Sequence, residues 1–159
     1  MKEVTTPIIK KLNRVHSILF GVTIAALLGV MFLLFYTVDP SSNPVNNYDS
    51  ITAEQIILLL TLVAVPTSLK MHSNRIKKLK ADTSVTPVEK IEAYTQAFVR
   101  RISILEIVAL VNIIFYAIKH SDNYMWLAVI TLIAFVFCRA SEKELLSLLQ
   151  TEKETNDEK

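Results

Sequence analysis

The chain has 159 residues, 52% of them hydrophobic, and a formal net charge of +2, with a mean hydropathy of +0.39. That length allows one domain, and the apolar excess is too large for an ordinary water-soluble fold. The single cysteine, Cys138, excludes an internal disulfide framework or a thiolate zinc site.

The apolar residues form long blocks with only two glycines in the whole chain, which suits helices better than the alternating strands of a membrane barrel. A spanning helix needs about 20 mostly apolar residues, because the hydrocarbon is about 30 Å thick and each residue rises about 1.5 Å. Thr6-Pro7 sets a capping residue before a proline and predicts a helix start. The first block, Val15 to Val38, has no charge between Arg14 and Asp39. It follows a basic start as a secretory signal does, but it is too long for one and lacks a small-x-small cleavage site, so a retained anchor is expected. Gly21, Ala25 and Gly29 form a small-xxx-small row on it. That row is expected to pack closely against another helix of the same chain, with homodimerisation as the second choice.

Asp39 to Ser50 is rich in Pro, Ser and Asn and reads as turns. The second block, Ile51 to Leu69, opens with Thr52 and Gln55 at capping-box spacing and with Glu54 where helix amides favour a carboxylate. Pro66 removes one backbone donor inside it and predicts a kink. Apolar residues continue through Met71, Ile76 and Leu79, and a turn is expected near 81–85, where Asp, Thr and Ser cluster.

Thr86-Pro87 with Glu89 is a second start signal, a capping box. Val88, Ile91, Phe98, Ile102 and Leu105 carry one apolar stripe from there into the third block, Ile102 to Ile118. Residues 70–101 are therefore expected to form a helical hairpin outside the bilayer. The fourth block, Tyr124 to Cys138, is the shortest, and Arg139 extends it by reaching outward along its aliphatic stem. It is expected to continue through Leu145, Leu146, Leu148 and Leu149, before a polar tail that frays over 151–159. The fold class is all-α: four transmembrane helices at about 15–38, 51–69, 102–118 and 124–139, extending into the cytoplasm.

Basic residues set the orientation. Of the seventeen Lys and Arg, all but Lys119 lie in the amino-terminal segment, the central loop or the tail. Under the positive-inside tendency both termini and the central loop are cytoplasmic. Tyr36, Tyr48, Tyr116, Tyr124 and Trp126 fall at the outer boundary, where amphipathic rings prefer the headgroups. Sliding the chain by eighty residues lays Thr6-Pro7 on Thr86-Pro87, Lys10 on Lys90 and Phe35-Tyr36 on Phe115-Tyr116. This weak repeat would give two tandem hairpins.

Glu106 is the one ionisable residue well inside a block, about 6 Å past the cytoplasmic boundary. A charge there is costly, so it should face the bundle interior and have a partner. Ser103, one turn earlier, is its local donor, and His16, Lys70 and Arg139 lie at similar depth as candidate partners; Arg101, just before the block, is a further polar candidate. The functional reading is a proton- or ion-handling carboxylate paired with His16, the structural reading is an ion pair with Arg139 or Lys70, and no metal is expected in either case. Asn112, about 15 Å in, is expected to hydrogen-bond between helices. The basic central segments should attract anionic lipid headgroups, and a nucleic-acid partner is not expected. No HExxH, Walker loop, GxSxG or CxxC occurs, so neither an enzyme nor a cofactor is expected.

Pro87, Lys90, Tyr94, Ala97, Arg101 and Glu106, followed by Arg139, Glu142 and Lys143, resemble a group of small four-helix membrane proteins of Bacteroidetes-type bacteria whose function is unassigned. Their second half has a similar Tyr, Ala, Arg, Glu series and an Arg-Pro-Thr-x-Glu-Lys-like exit from the fourth span. Here Ala140 and Ser141 replace the Pro-Thr pair. The resemblance covers about 87–149 and implies a bacterial inner membrane, with no activity attached. Two functions remain open: a non-enzymatic scaffold, interaction or regulatory membrane protein, and a small proton- or ion-linked transporter or channel subunit using Glu106. A homo-oligomer or a membrane-protein partner fits either.

Overall fold

The computed structural model describes the backbone of residues 2–37, 49–82 and 84–156, and side chains over 5–37, 54–82 and 84–149. Among the described residues the chain is all-helical: α1 (Lys2–Thr37), α2 (Asp49–Ala81), α3 (Pro87–Lys119), α4 (Asp122–Val136) and α5 (Glu142–Asn156). Three helices are long and apolar enough to cross a membrane, within Thr5–Thr37, Glu54–Ala81 and Pro87–Lys119. The fourth apolar helix, α4, has 15 residues. Tyr48 and most of the expected turn at Asp39 to Ser50 lie outside the described residues.

The starts of α1 and α3 differ although both contain Thr-Pro. At α3 the Thr86 hydroxyl accepts the Glu89 amide and the Glu89 carboxylate accepts the Thr86 amide, with Pro87 in the first turn. At α1 the helix begins earlier, at Lys2, and Pro7 lies inside it. Pro7 is the sixth residue of α1, so it offers no amide to the Glu3 carbonyl, and the expected start at Thr6-Pro7 is overridden. Likewise α2 begins at Asp49, ahead of Thr52, and it runs unbroken through Pro66.

α3 lies at the centre and touches α1, α2, α4 and α5. α1 and α2 both pack on α3 and α4, but no Cα atom of one lies within 8 Å of the other among the described residues. The expected first hairpin is therefore not a packed unit. The second is, since α3 and α4 are joined by only His120 and Ser121. His120 adopts φ 53°, and its amide donates to the Tyr116 carbonyl at 3.0 Å, closing α3.

The fourth block does not continue as one helix. It breaks over 137–141, and α5 packs against α1, α2 and α3. The broken backbone finds partners on neighbouring helices, described below. The backbone of α5 is helical to Asn156, into the segment expected to fray.

Two apolar clusters result. The basic-end cluster includes Ile9, Leu12, Ile76, Phe98, Leu145 and Leu148. The far-end cluster includes Leu27, Ile57, Ile113, Tyr116, Tyr124 and Leu127. Tyr116 and Tyr124, expected at the outer boundary, are buried in the bundle, whereas Tyr36 and Trp126 are exposed.

The outward faces are apolar as well. Ile18, Val22, Leu28 and Phe32 on α1, Ile56, Leu59 and Leu62 on α2, Ile107, Ile114 and Ile118 on α3, and Trp126, Ile130 and Ile133 on α4 are all more than half exposed. So continuous an apolar exterior is foreign to a monomer in water. The small-residue row is part of it: Gly21, Ala25 and Gly29 are exposed, and a Cβ added at either glycine would meet nothing within 4 Å. The expected packing of this row against another helix of the chain does not occur. α1 instead turns His16, Thr23 and Leu27 inward.

Candidate functional site

Between the two clusters lies a layer of buried polar groups. Thr23, Thr61, Asn112 and Thr131 are each no more than 2% exposed. Asn112 donates through Nδ2 to the Thr61 hydroxyl at 3.1 Å and to the Val108 carbonyl at 3.0 Å, tying α3 to α2. The Thr23 hydroxyl lies 2.7 Å from Glu106 Oε1 and 2.9 Å from the Leu19 carbonyl, tying α1 to α3. One hydroxyl proton thus faces two acceptors. Glu106 Oε2 and Asn112 Oδ1 are buried and have no hydrogen-bond partner.

The candidate partners of Glu106 lie elsewhere. Ser103, Lys70 and Arg139 are exposed; the donor to Glu106 is Thr23, on another helix. Side-chain direction explains this, since Ser103 sits on the outward side of α3, whereas Glu106 reaches toward α1. Arg101 donates through Nη2 to the Cys138 carbonyl at 2.8 Å, and its guanidinium lies 5.5 Å from the Phe98 ring centre. His16 Nε2 lies 2.9 Å from the Phe135 carbonyl and its ring stacks on that phenylalanine. A carbonyl only accepts, so Nε2 carries the proton.

Arg101 and His16 therefore serve the break after α4, and Asn13 and Tyr94 complete that arrangement. Asn13 accepts the Ala140 amide through Oδ1 at 3.0 Å and donates to the Ala140 carbonyl through Nδ2 at 3.3 Å. The Tyr94 hydroxyl accepts the Ser141 amide at 3.2 Å and shares its proton between the Ser141 carbonyl and the Glu144 carboxylate. Four side chains from α1 and α3 thus supply partners for carbonyls and amides that a continuous helix would have satisfied itself. Tyr94 and Arg101 both belong to the series that carries the family resemblance, and the fold brings them to the exit from α4. The sequence had singled out both residues without their role, whereas Asn13, on the flank of a basic segment, gave no signal.

Beside Tyr94, on the basic side of the apolar blocks, His72 is 4% exposed and packs edge-on to the tyrosine ring at 6.1 Å. Burial, reinforced by the Arg101 charge, holds its imidazole down at about 4. Burial and the nearby Glu144 carboxylate push the Tyr94 phenol up to about 12. Both side chains are therefore neutral near pH 7.

His72 also lines a cleft of about 370 Å³ between α2 and α3. Arg75, Lys78, Arg100 and Arg101 line it too, and no carboxylate does among the described residues. No group of three or more His, Cys, Asp or Glu stands close enough to hold a metal ion among those residues. No family model, curated protein or solved structure matches the chain.

Proposed function

We propose that the chain is a bacterial inner-membrane protein of four spans, with both termini cytoplasmic, whose bundle acts as a non-enzymatic scaffold or regulatory platform for other membrane components. One observation carries this reading: polar side chains within the apolar stretches join helix to helix, Thr23 to Glu106 and Asn112 to Thr61. In hydrocarbon, apolar contact gives no net drive for helices to associate, so such bonds and close packing hold the bundle together.

The uneven placement of lysine and arginine supports the orientation. α4, of 15 residues, is about 22 Å long, and the exposed row Trp126, Ile130, Ile133 and Phe137 carries its apolar face past the helix end. That row supports a fourth crossing. The resemblance of 87–149 to small four-helix membrane proteins points the same way. Single cysteines introduced in a Cys138→Ala background test the topology with an impermeant thiol reagent. Positions 2, 78 and 153 should react only from the cytoplasmic side and position 120 only from the other; termini on opposite faces would overturn the proposal.

A second reading, a proton- or ion-linked transporter or channel subunit, is favoured by the unpartnered Glu106 Oε2 beside the doubly contested Thr23 proton. Liposomes containing the protein and a pH-sensitive dye decide between the two. A flux abolished by Glu106→Gln would replace the scaffold with a transporter.

A further inference from the structure

The α2/α3 cleft is strongly basic. Four cations from two helices converge on it without an acidic neighbour in its lining. Like charges so placed repel one another unless a counter-anion joins them. Arg75, Lys78 and Arg100 are exposed. Arg101 is held from behind by the Cys138 carbonyl, while its Nε is buried with no partner. His72 Nε2, in the same wall, is also buried without a partner.

The shape narrows the ligand. A volume of about 370 Å³ corresponds to about a dozen waters' share of liquid, more than a bare phosphate ion requires. The end of the cleft toward the apolar blocks is lined by Ile104 and Ser68. One turn further along α3, Ile107 is 61% exposed, and Ile114 continues that face at 54%. The cations thus sit at the foot of an apolar track on the outside of the bundle.

We propose that this cleft binds one anionic phospholipid, its phosphate held by Arg75, Lys78 and Arg100 against the Arg101 wall and its acyl chain lying along Ile104, Ile107 and Ile114. The assignment rests on the membrane reading above and adds a specific partner to it. Basic pockets between membrane helices on the cytoplasmic side suit phosphate headgroups, and guanidinium forks match phosphate oxygens in pairs.

The full chain in neutral-detergent micelles is titrated with phosphatidylglycerol, phosphatidylcholine and inorganic phosphate, and bound ligand is read by native mass spectrometry. One phosphatidylglycerol should bind, displaced neither by excess phosphatidylcholine nor by millimolar phosphate. Arg75→Gln with Arg100→Gln should weaken it about 25-fold, taking about fivefold per cation near an anionic group. Lys10→Gln with Lys11→Gln, removing equal charge from exposed positions on α1, should change it less than threefold. Equal loss in both double variants, or equal binding of phosphatidylcholine, would overturn the site. Displacement by inorganic phosphate would assign the cleft to an aqueous anion and overturn the lipid. Circular dichroism of both variants verifies the fold. Alkaline extraction keeps the two readings separate: a chain that stays with the membrane but fails the titration breaks only this inference, and one released by the wash breaks the membrane reading.

Discussion

α1 and α3 are close in length, 36 and 33 residues, and both contain the Thr-Pro pair that the eighty-residue shift superposes. Their surroundings are opposite. In the most apolar stretch of α1, 11% of residues are buried, against 39% in α3, although the α1 stretch is the more apolar. In water the more apolar helix would be the better covered, because burial of apolar surface drives folding. Here the order is inverted. Composition on α1 answers the medium around it, and composition on α3 answers its neighbours, which is why the polar residues Tyr94, Glu106 and Asn112 lie on α3.

The largest expected effect sharpens the α3 side of this contrast. Tyr94→Ala removes a fully buried ring together with the hydroxyl that holds the start of α5, and should cost about 3–5 kcal/mol in thermal unfolding. Tyr94→Phe keeps the ring and should cost about 1–2 kcal/mol, for the unsatisfied Ser141 amide. The α1 side breaks differently. Leu28, 58% exposed, should tolerate Ala, whereas Leu28→Arg should raise the cost of membrane insertion by about 3 kcal/mol. A neutral result in an insertion assay would mean that α1 faces water.

Acid should act through α2 and α3 at their basic end. The folded His72 resists protonation down to about 4, while in the unfolded chain it takes a proton near its ordinary value of about 6.5. Stability present above pH 6.5 should therefore fall as pH drops toward 4 and level off below it, by no more than about 3 kcal/mol. Thermal scans across that range should be flatter for His72→Phe. A smaller effect belongs to Asn112→Ala, about 1 kcal/mol through loss of the Thr61 bond, measured by unfolding in detergent. Smallest is Gly21→Ala, which meets nothing within 4 Å and should stabilise α1 by less than about 1 kcal/mol.

Much of this was legible from local chemistry. The apolar blocks, the capping box at Thr86 and Glu89, and the interhelical role of Asn112 follow from what single helices need: enough apolar length, satisfied end amides and a partner for a buried amide. The partners of Glu106, Arg101 and His16 did not follow. Residue spacing gives the face of a helix but not which helix stands opposite, and Ser103 and Arg139 point away from the acid they were expected to meet. The break after α4 was hidden for the same reason: nothing in Phe137 to Ser141 forbids a helix, and besides Ser141, whose hydroxyl accepts the Glu144 amide at the start of α5, the replacement hydrogen bonds come from Asn13, His16, Tyr94 and Arg101 on distant helices.

The order of residues alone determined that this chain forms long helices with an apolar middle and a basic side, because hydropathy, charge and end capping act within a few turns. Tertiary structure alone decided that α3 takes the centre, that the small-residue row of α1 faces outward, and that four cations share one cleft. Those outcomes depend on contacts between residues far apart in the chain, whose energies exist only once the helices are packed.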